Sequence, residues 1–388
     1  MSSKKIIKWT NSARSTIILQ KATGMPWNRL ADIQRLYGVR VSTSNMWAQC
    51  SGVWDDCASF IFDALVEEVS RAREMYTDDT GARILEVIAE NKELPKNERR
   101  ACHTTTVCAT RVCPETSAKS EIRLYITDNK YCGENIAPII EKKYLENPDH
   151  YLALIADASS KNMPHIDADL LIKIIIVGCL VHGRRKFFEL LDFWPEECRY
   201  FIEEIAHIYR IEDECRHMES KKRLRYHKRY STPHMNNIYK KIRQLFDDRL
   251  VEPNSDLGKA MNYWIKNKKS LTMFLRVKGV DLDNNRSERS LKTIIVQRKN
   301  SLFFKSRSSA EKLSGLSSIV ATCRINGINA QRYLDWIQDN WKSVQKDAKS
   351  FLPWDYQAMV TAREQDREKE KLLQNQKLID ARAVSAAA

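Results

Sequence analysis

At 388 residues and 45.2 kDa the chain is long enough for a sizeable core and for two or three domains, and its 43% hydrophobic and 29% charged residues are those of a globular protein. A net charge of +14 and a pI near 9.2 point to a polyanionic partner, of which nucleic acid is the commonest. The ten cysteines are scattered from Cys50 to Cys323 without a CxxC pair, which argues against a disulfide framework or a four-ligand zinc site; the longest apolar run, Leu170 to Val181, contains Lys173 and is too short to span a bilayer, so a soluble cytoplasmic protein with reduced thiols is expected.

The first elements read as helical. Pro26 opens a helix with Leu30, Ile33 and Leu36 or Tyr37 on one face, Gly38 breaks it, and Ser42 or Ser44 can cap a second helix through Met46, Trp47 and Cys50. That is the outline of a helix-turn-helix, and equally of a plain helical hairpin. A longer amphipathic helix is expected from about Val53 to Arg73, with Trp54, Phe60, Ile61, Leu65 and Val69 as core candidates.

Strand signals follow. EMYTDDTGARILEV holds a short run ending in Asp78, Asp79 and Thr80, with Gly81 as a turn. After a charged loop, ACHTTTVCATRV is rich in β-branched residues, and SEIRLYIT alternates Ile122, Leu124 and Ile126 with polar neighbours; three neighbouring antiparallel strands are expected. A helix follows Gly133 and stops at Asn147-Pro148, and the apolar runs YLALIAD and IKIIIVGC read as strands buried on both faces.

From His182 to about Gly279 the signals are helical, with Pro195, Pro233 and Pro253 expected between helices; Glu219 to Tyr230 is the most basic part, explained by a solvated face nearly as well as by a DNA contact. Two amphipathic helices lie beyond Ser306, FLPW closes the compact region, and the charged tail carries no aromatic residue. The expected division is 1–72 helical and helix-turn-helix-like, 73–181 a sheet core, 182–280 a helical insertion, 281–355 C-terminal helices of the core, and 356–388 a tail. This order of elements, three strands, a helix, a strand, a crossover and another strand, matches an α+β ribonuclease H-like fold with a large helical insertion.

The chemistry gathers on carboxylates. Glu288 opens a probable helix that otherwise carries Arg286, Arg289, Lys292, Arg298 and Lys299, cations suited to phosphate. Asp78 and Asp157 both end apparent strands, and a parallel pairing of those strands would bring them together. Three carboxylates form a hard, oxygen-only set that suits Mg²⁺ or Mn²⁺, and two such ions roughly 3.5–4 Å apart support in-line phosphoryl transfer. The bland readings are turn residues for Asp78 and Asp79, an N-cap for Asp157 and a capping box of Asn285 with Glu288; Asp128 is a rival carboxylate at a similar strand end. His182, Arg184 and Arg185 follow a strand directly and could reach DNA phosphate, while Cys179 and His182 form a lone CxxH pair that reads as packing and positioning.

The stretches TDDTGARIL, LYITDNKYCGEN, LIADASSKNMP, GCLVHGRRKFFEL with FWPEEC, VEPNSDLGKAMNYW and LDNNRSERSLKTIIVQRKNSLFF, in this order from about Thr23 to Trp354, closely resemble bacterial transposases of insertion-sequence family sixty-six. The resemblance implies a ribonuclease H-like DDE core. It places the first metal ligand on Asp78 of Asp78-Asp79-Thr80, the second on Asp157 of the D-A-x-S-x-N pattern, and the catalytic glutamate on Glu288 of the pattern that spans Asp283, Asn284, Asn285, Glu288 and Arg289. Asp128 has no such match. Members of the family usually carry an additional N-terminal region with a coiled-coil-like segment and a cysteine-rich module, so this chain is expected to be a short variant or to start downstream of the true beginning.

The expected function is therefore metal-dependent cleavage and strand transfer of insertion-sequence DNA, with two Mg²⁺ or Mn²⁺ ions on Asp78, Asp157 and Glu288. DNA would be held by His182, Arg184, Arg185, Arg289, Lys292, Arg298 and Lys299. A homo-oligomer on DNA, accessory proteins of the same element and no membrane are the expected partners. The alternative is a truncated, non-catalytic DNA-binding relic of such an enzyme.

Overall fold

The structure, a computed structural model, describes residues 9–157 and 159–362, so most of the expected 356–388 tail lies outside the described residues. It divides into two compact units: the described residues up to Leu65 with those from Gly315 onward, and Val66–Ser314.

In the first unit, α1 (Asn11–Ala22), which the sequence reading passed over, is capped by the Thr10 hydroxyl accepting from the Ala13 N–H. Helix α2 (Trp27–Leu36) begins after Pro26, and Gly38 takes a φ of +76°, a left-handed conformation that glycine adopts without penalty. Ser42 then caps α3 (Thr43–Val53) by accepting from the Asn45 N–H. The expected apolar face of α2 is corrected: Leu30 is buried, whereas Leu36 and Tyr37 are 86% and 76% exposed. A π-helical stretch, Trp54–Ala58, joins α3 to α4 (Ser59–Arg71). One extra residue per turn there rotates the following face, so Ile61 and Leu65 are buried while Phe60 is exposed.

The second unit is built on a five-stranded mixed sheet in the order β3-β2-β1-β4-β5. Its elements run β1 (Glu74–Ala82), α5 (Leu85–Glu93), β2 (Cys102–Val112), β3 (Lys119–Asp128), α6 (Cys132–Glu146), β4 (Leu152–Ala156), α7 (Ala168–Leu171) and β5 (Ile174–Gly178). The first three strands pair antiparallel as expected, and β4 lies parallel to both β1 and β5. One strand end is corrected. β1 does not turn at Gly81, because its ladder with β2 continues to the Ala82–Cys102 pair, so Asp78 sits within the strand.

The helical stretch then comprises α8 (Leu180–Phe188), α9 (Pro195–Cys215), α10 (Ser220–Asp247), α11 (Asp256–Lys266) and α12 (Lys268–Leu271), followed by α13 (Asn285–Ser301). Pro195 and Pro253 fall where expected, but Pro233 lies inside α10. An interior proline removes a helix hydrogen bond at a cost of about 3 kcal/mol. Here a buried stripe on either side of it, His227, Ser231, Met235, Ile238, Ile242 and Leu245, keeps the helix continuous. The core of this unit joins one sheet face, with Tyr76, Cys108, Ala153, Ile155 and Val177, to the insertion residues Phe187, Phe201, Met261 and Trp264. Phe187 stacks on Phe201 with ring centroids 4.3 Å apart, and a Cβ on Gly183 would come within 2.8 Å of the Trp264 ring, which fixes how closely α8 and α11 approach.

Then come α14 (Arg307–Ile325), α15 (Ala330–Asp339) and α16 (Trp341–Lys346), with a further helical stretch over 353–362. In the first unit α15 packs on α1, where Gln338 donates to the buried Ser15 hydroxyl at 2.8 Å. All ten cysteines are free, and no described helix is long and apolar enough to cross a membrane.

Candidate active site

The placement of Asp78 and Asp157 follows from strand register. The last parallel pair between β1 and β4 is Tyr76 with Ile155, and the two aspartates each stand two residues beyond it. Side chains alternate along a strand, so Asp78 shares a face with Tyr76 and Asp157 with Ile155, and Tyr76 and Ile155 are packed in the same core. The same parity sends Asp79 to the opposite face. There its carboxylate accepts from the Thr105 hydroxyl at 2.6 Å and from the Cys132 N–H at 2.7 Å, anchoring the start of α6.

Helix α13 lies over the Asp78 face. Tyr125 of β3 donates to the Ser290 carbonyl at 3.1 Å, and the Arg286 guanidinium sits 4.9 Å from the centre of the Tyr76 ring and donates to Thr110. The start of the helix is corrected against the expected Asn285–Glu288 capping box. The N-cap position is Asn284, whose amide donates to the Thr77 carbonyl at 2.8 Å, while Asp283 accepts from the Asn285 N–H at 3.0 Å. Asn284 is fully buried, so the first turn of α13 is tied to β1 beside Asp78. The inward side chains are Ser287, Leu291 and Ile294, with Ile295 less buried.

This arrangement brings the three carboxylates into one electrostatic neighbourhood. Burial pushes the Asp78 carboxyl up to about 7, and the negative charges of Glu288, Asp157 and Asp79 act in the same direction. The Asp79 N–H, donating to Asp78 Oδ1 at 2.9 Å, opposes the rise. Glu288 meets His182 Nδ1 at 3.6 Å and Arg185 at 3.9 Å, yet its Oε1 is a buried oxygen without a hydrogen-bond partner. Asp157 accepts from the Tyr263 hydroxyl at 3.2 Å, and Asn162 donates to the Asp157 carbonyl at 3.3 Å. The loop after β4 is further held by Gly133, where an added Cβ would lie 1.8 Å from the Met163 carbonyl oxygen.

A cleft of about 410 Å³ opens beside these groups, lined by Asp157, Ser159, His182, Arg185, Lys186, Glu189 and Tyr263. Lys186 lies 4.6 Å from the Tyr263 ring centre. Five of the expected phosphate-binding cations have other settings. Arg184 sits over Phe188 at 5.5 Å, and Arg289 donates to the Asn285 carbonyl one turn back while its guanidinium is exposed. Lys292 and Lys299 are exposed. Arg298 is engaged with β1 instead, donating to the Thr80 hydroxyl at 2.8 Å and the Gly81 carbonyl at 2.7 Å.

Sequence reasoning missed Tyr263, Lys186 and the role of Asn284. The hints were that Lys186 and Tyr263 lie in two of the stretches that carry the family resemblance and that Asn284 stands between Asp283 and Asn285; nothing near Tyr263 in sequence connects it with Asp157. Asp128, the rival carboxylate, accepts from the Asn129 N–H and pairs with Lys130 at 3.4 Å.

The sequence profile described as the transposase IS66 family matches residues 7–312. Among curated proteins the chain is similar to three uncharacterized proteins of Sinorhizobium fredii. It is 24% identical to y4hP over 82% of this chain and 57% of that protein, and 26% identical to y4jD over 46% and 36% of the respective lengths. Protein y4qI is 24% identical over 47% of this chain and 34% of its own length. The chain thus spans between a third and three-fifths of the curated relatives it matches.

Proposed function

This chain belongs to the transposase IS66 family, and on that premise we infer that it is a DDE transposase acting on the ends of an insertion element. The observation that supports the reading best is that the charges of Asp157, just after β4, and of Glu288, on α13, both act on the buried Asp78 of β1. The strand order, with three antiparallel strands followed by two parallel to the first, supports the ribonuclease H-like assignment of this core.

The residues fit a divalent cation. Asp78 is held in a protonation balance set by burial and by like charges, and Glu288 Oε1 lacks a partner; a hard cation relieves both. Asp78, Asp157 and Glu288 would hold two Mg²⁺ or Mn²⁺ ions. When bound, such ions supply an activated attacking oxygen and charge stabilisation at the leaving oxygen of a phosphodiester. The chain's own part is positioning. Tyr263 orients the Asp157 carboxylate, Asn284 fixes the helix that carries Glu288 against β1, and Asn162 holds the loop behind Asp157. Arg185 and His182, at the wall of the cleft, are suited to the scissile phosphate, with the exposed Arg289, Lys292 and Lys299 further along the DNA backbone. The partners are transposon-end and target DNA, with further copies of the chain and accessory proteins of the same element, in the bacterial cytoplasm.

The test is Mg²⁺-dependent cleavage and strand transfer on cognate end DNA with wild type and Glu288→Gln. The glutamine keeps the shape and removes the charge, so loss of product by about 10²-fold or more is expected with DNA binding retained. Equal activity in the two proteins would sink the assignment.

A further inference from the structure

Cys179 and His182 form a CxxH pair that the proposed chemistry leaves partly unused, and the fold brings a third ligand to it. The Cys179 sulfur, a ring nitrogen of His182 and a carboxylate oxygen of Glu288 all lie within 4.8 Å of one another. His182 Nδ1 and Glu288 Oε1 face each other at 3.6 Å, and both are buried atoms without a hydrogen-bond partner. Two buried polar atoms that lack hydrogen bonds and face each other form an arrangement that a cation resolves. The sulfur, fully buried, accepts from the Asn284 N–H at 3.3 Å, a bond of the kind that supports a metal-bound thiolate from its outer side.

We propose that Cys179, His182 and Glu288 form a site for a borderline-soft divalent cation, Zn²⁺ foremost, and that filling it draws Glu288 away from the oxygen-only set and stops the reaction. The binding half stands on these three residues; the inhibitory half rests on the transposase reading. Bond lengths of about 2.3 Å to sulfur and about 2.0–2.2 Å to nitrogen and oxygen give tetrahedral ligand separations of roughly 3.3–3.6 Å. The nitrogen–oxygen separation already has that value. The separations to sulfur close by up to about 1 Å through side-chain rotation, and the fourth position is water from the cleft that His182 lines. On binding, the thiol releases its proton to solvent and the sulfur–metal bond forms. Mg²⁺ does not compete for this set, because it disfavours sulfur. A second cluster, Glu212, Cys215 and His227, has a comparable composition, but Arg223 and His227 already pair with the Glu212 carboxylate, so its donors are satisfied without an ion.

The probe is Co²⁺ alone, titrated into the full chain freed of divalent ions. A near-ultraviolet thiolate-to-cobalt charge-transfer band is expected in wild type, in Asp78→Asn and in Cys215→Ser, and is lost in Cys179→Ser. Absence of the band in wild type, or its persistence in Cys179→Ser, overturns the site. Should Cys179→Ser fail to fold by circular dichroism, His182→Gln decides, with cobalt affinity expected to fall roughly 10–100-fold; unchanged affinity overturns the proposal. In the second arm, Zn²⁺ inhibits Mg²⁺-dependent strand transfer by wild type, and Cys179→Ser needs roughly 10–100-fold more Zn²⁺ for the same inhibition. Equal sensitivity overturns the inhibitory half. A chain that shows no Mg²⁺-dependent activity counts against the transposase reading, and the cobalt titration still decides the site.

Discussion

Replacing Asp78 by asparagine is expected to stabilise the protein while abolishing its proposed activity, and the gain should depend on pH. In the folded chain burial and neighbouring carboxylates raise the Asp78 carboxyl from 3.8 to about 7. Between these values the folded state holds a proton that the unfolded state has released. The contribution of this group is therefore complete below about pH 4 and is lost as pH rises through about 7. At about 1.4 kcal/mol per tenfold change in acidity, the full rise corresponds to a ceiling of about 4 kcal/mol, and roughly three-fifths of it falls between pH 5 and pH 8. Asparagine keeps an acceptor for the Asp79 N–H but carries no charge. Its advantage over wild type should thus grow by about 2.5 kcal/mol from pH 5 to pH 8, or about 5–10 °C in the melting temperature of a unit the size of Val66–Ser314. Calorimetry of both proteins at the two pH values in a chelator measures this directly. Added Mg²⁺ should then stabilise wild type more than the variant, since binding to the folded state alone raises its stability. An advantage that does not change with pH, or a wild type more stable than the variant at pH 8 without divalent ions, would refute the electrostatic account of the site.

Asn284→Ala leaves the buried Thr77 carbonyl without its donor and should cost about 1–3 kcal/mol in urea unfolding, with strand transfer falling as α13 loosens from β1. Gly183→Ala forces a methyl group against the Trp264 ring and should destabilise by about 1–3 kcal/mol, whereas Gly52→Ala, with open space around it inside α3, should stabilise by about 0.5–1 kcal/mol. In DNA binding measured across a salt series, Lys292→Ala should reduce the dependence of log affinity on log salt by about one. Arg298→Ala should instead appear mainly as a loss of thermal stability, because its guanidinium bonds the Thr80 hydroxyl and the Gly81 carbonyl.

Much of the architecture was legible from local signals. Pro26, Gly38 and Ser42 bracket α2 and α3 because a fixed φ, a left-handed residue and a side-chain cap act within a few residues. Alternation in β3 and the apolar runs of β4 and β5 marked the strands, and their order was enough to anticipate the sheet. Pro233 misled, since the rule that proline breaks helices is local while the buried stripe that overrides it is not. Leu36 and Phe60 misled for the same reason: periodicity names a face, but packing decides which face is covered.

The site divides along the same line. The sequence by itself determined that Asp78, Asp157 and Glu288 stand in motifs of one family, and that cations surround the glutamate. The family resemblance already singled out Asp78 over Asp79, but only the tertiary structure supplied the reason, because facing depends on the parallel register of β1 with β4. It also decided that Asn284 rather than Asn285 starts α13, that the Tyr263 hydroxyl donates to Asp157, and that Glu288 lies beside Cys179 and His182. These are contacts between residues far apart in the chain. Their geometry is fixed by strand register and helix docking, which no window of neighbouring residues contains.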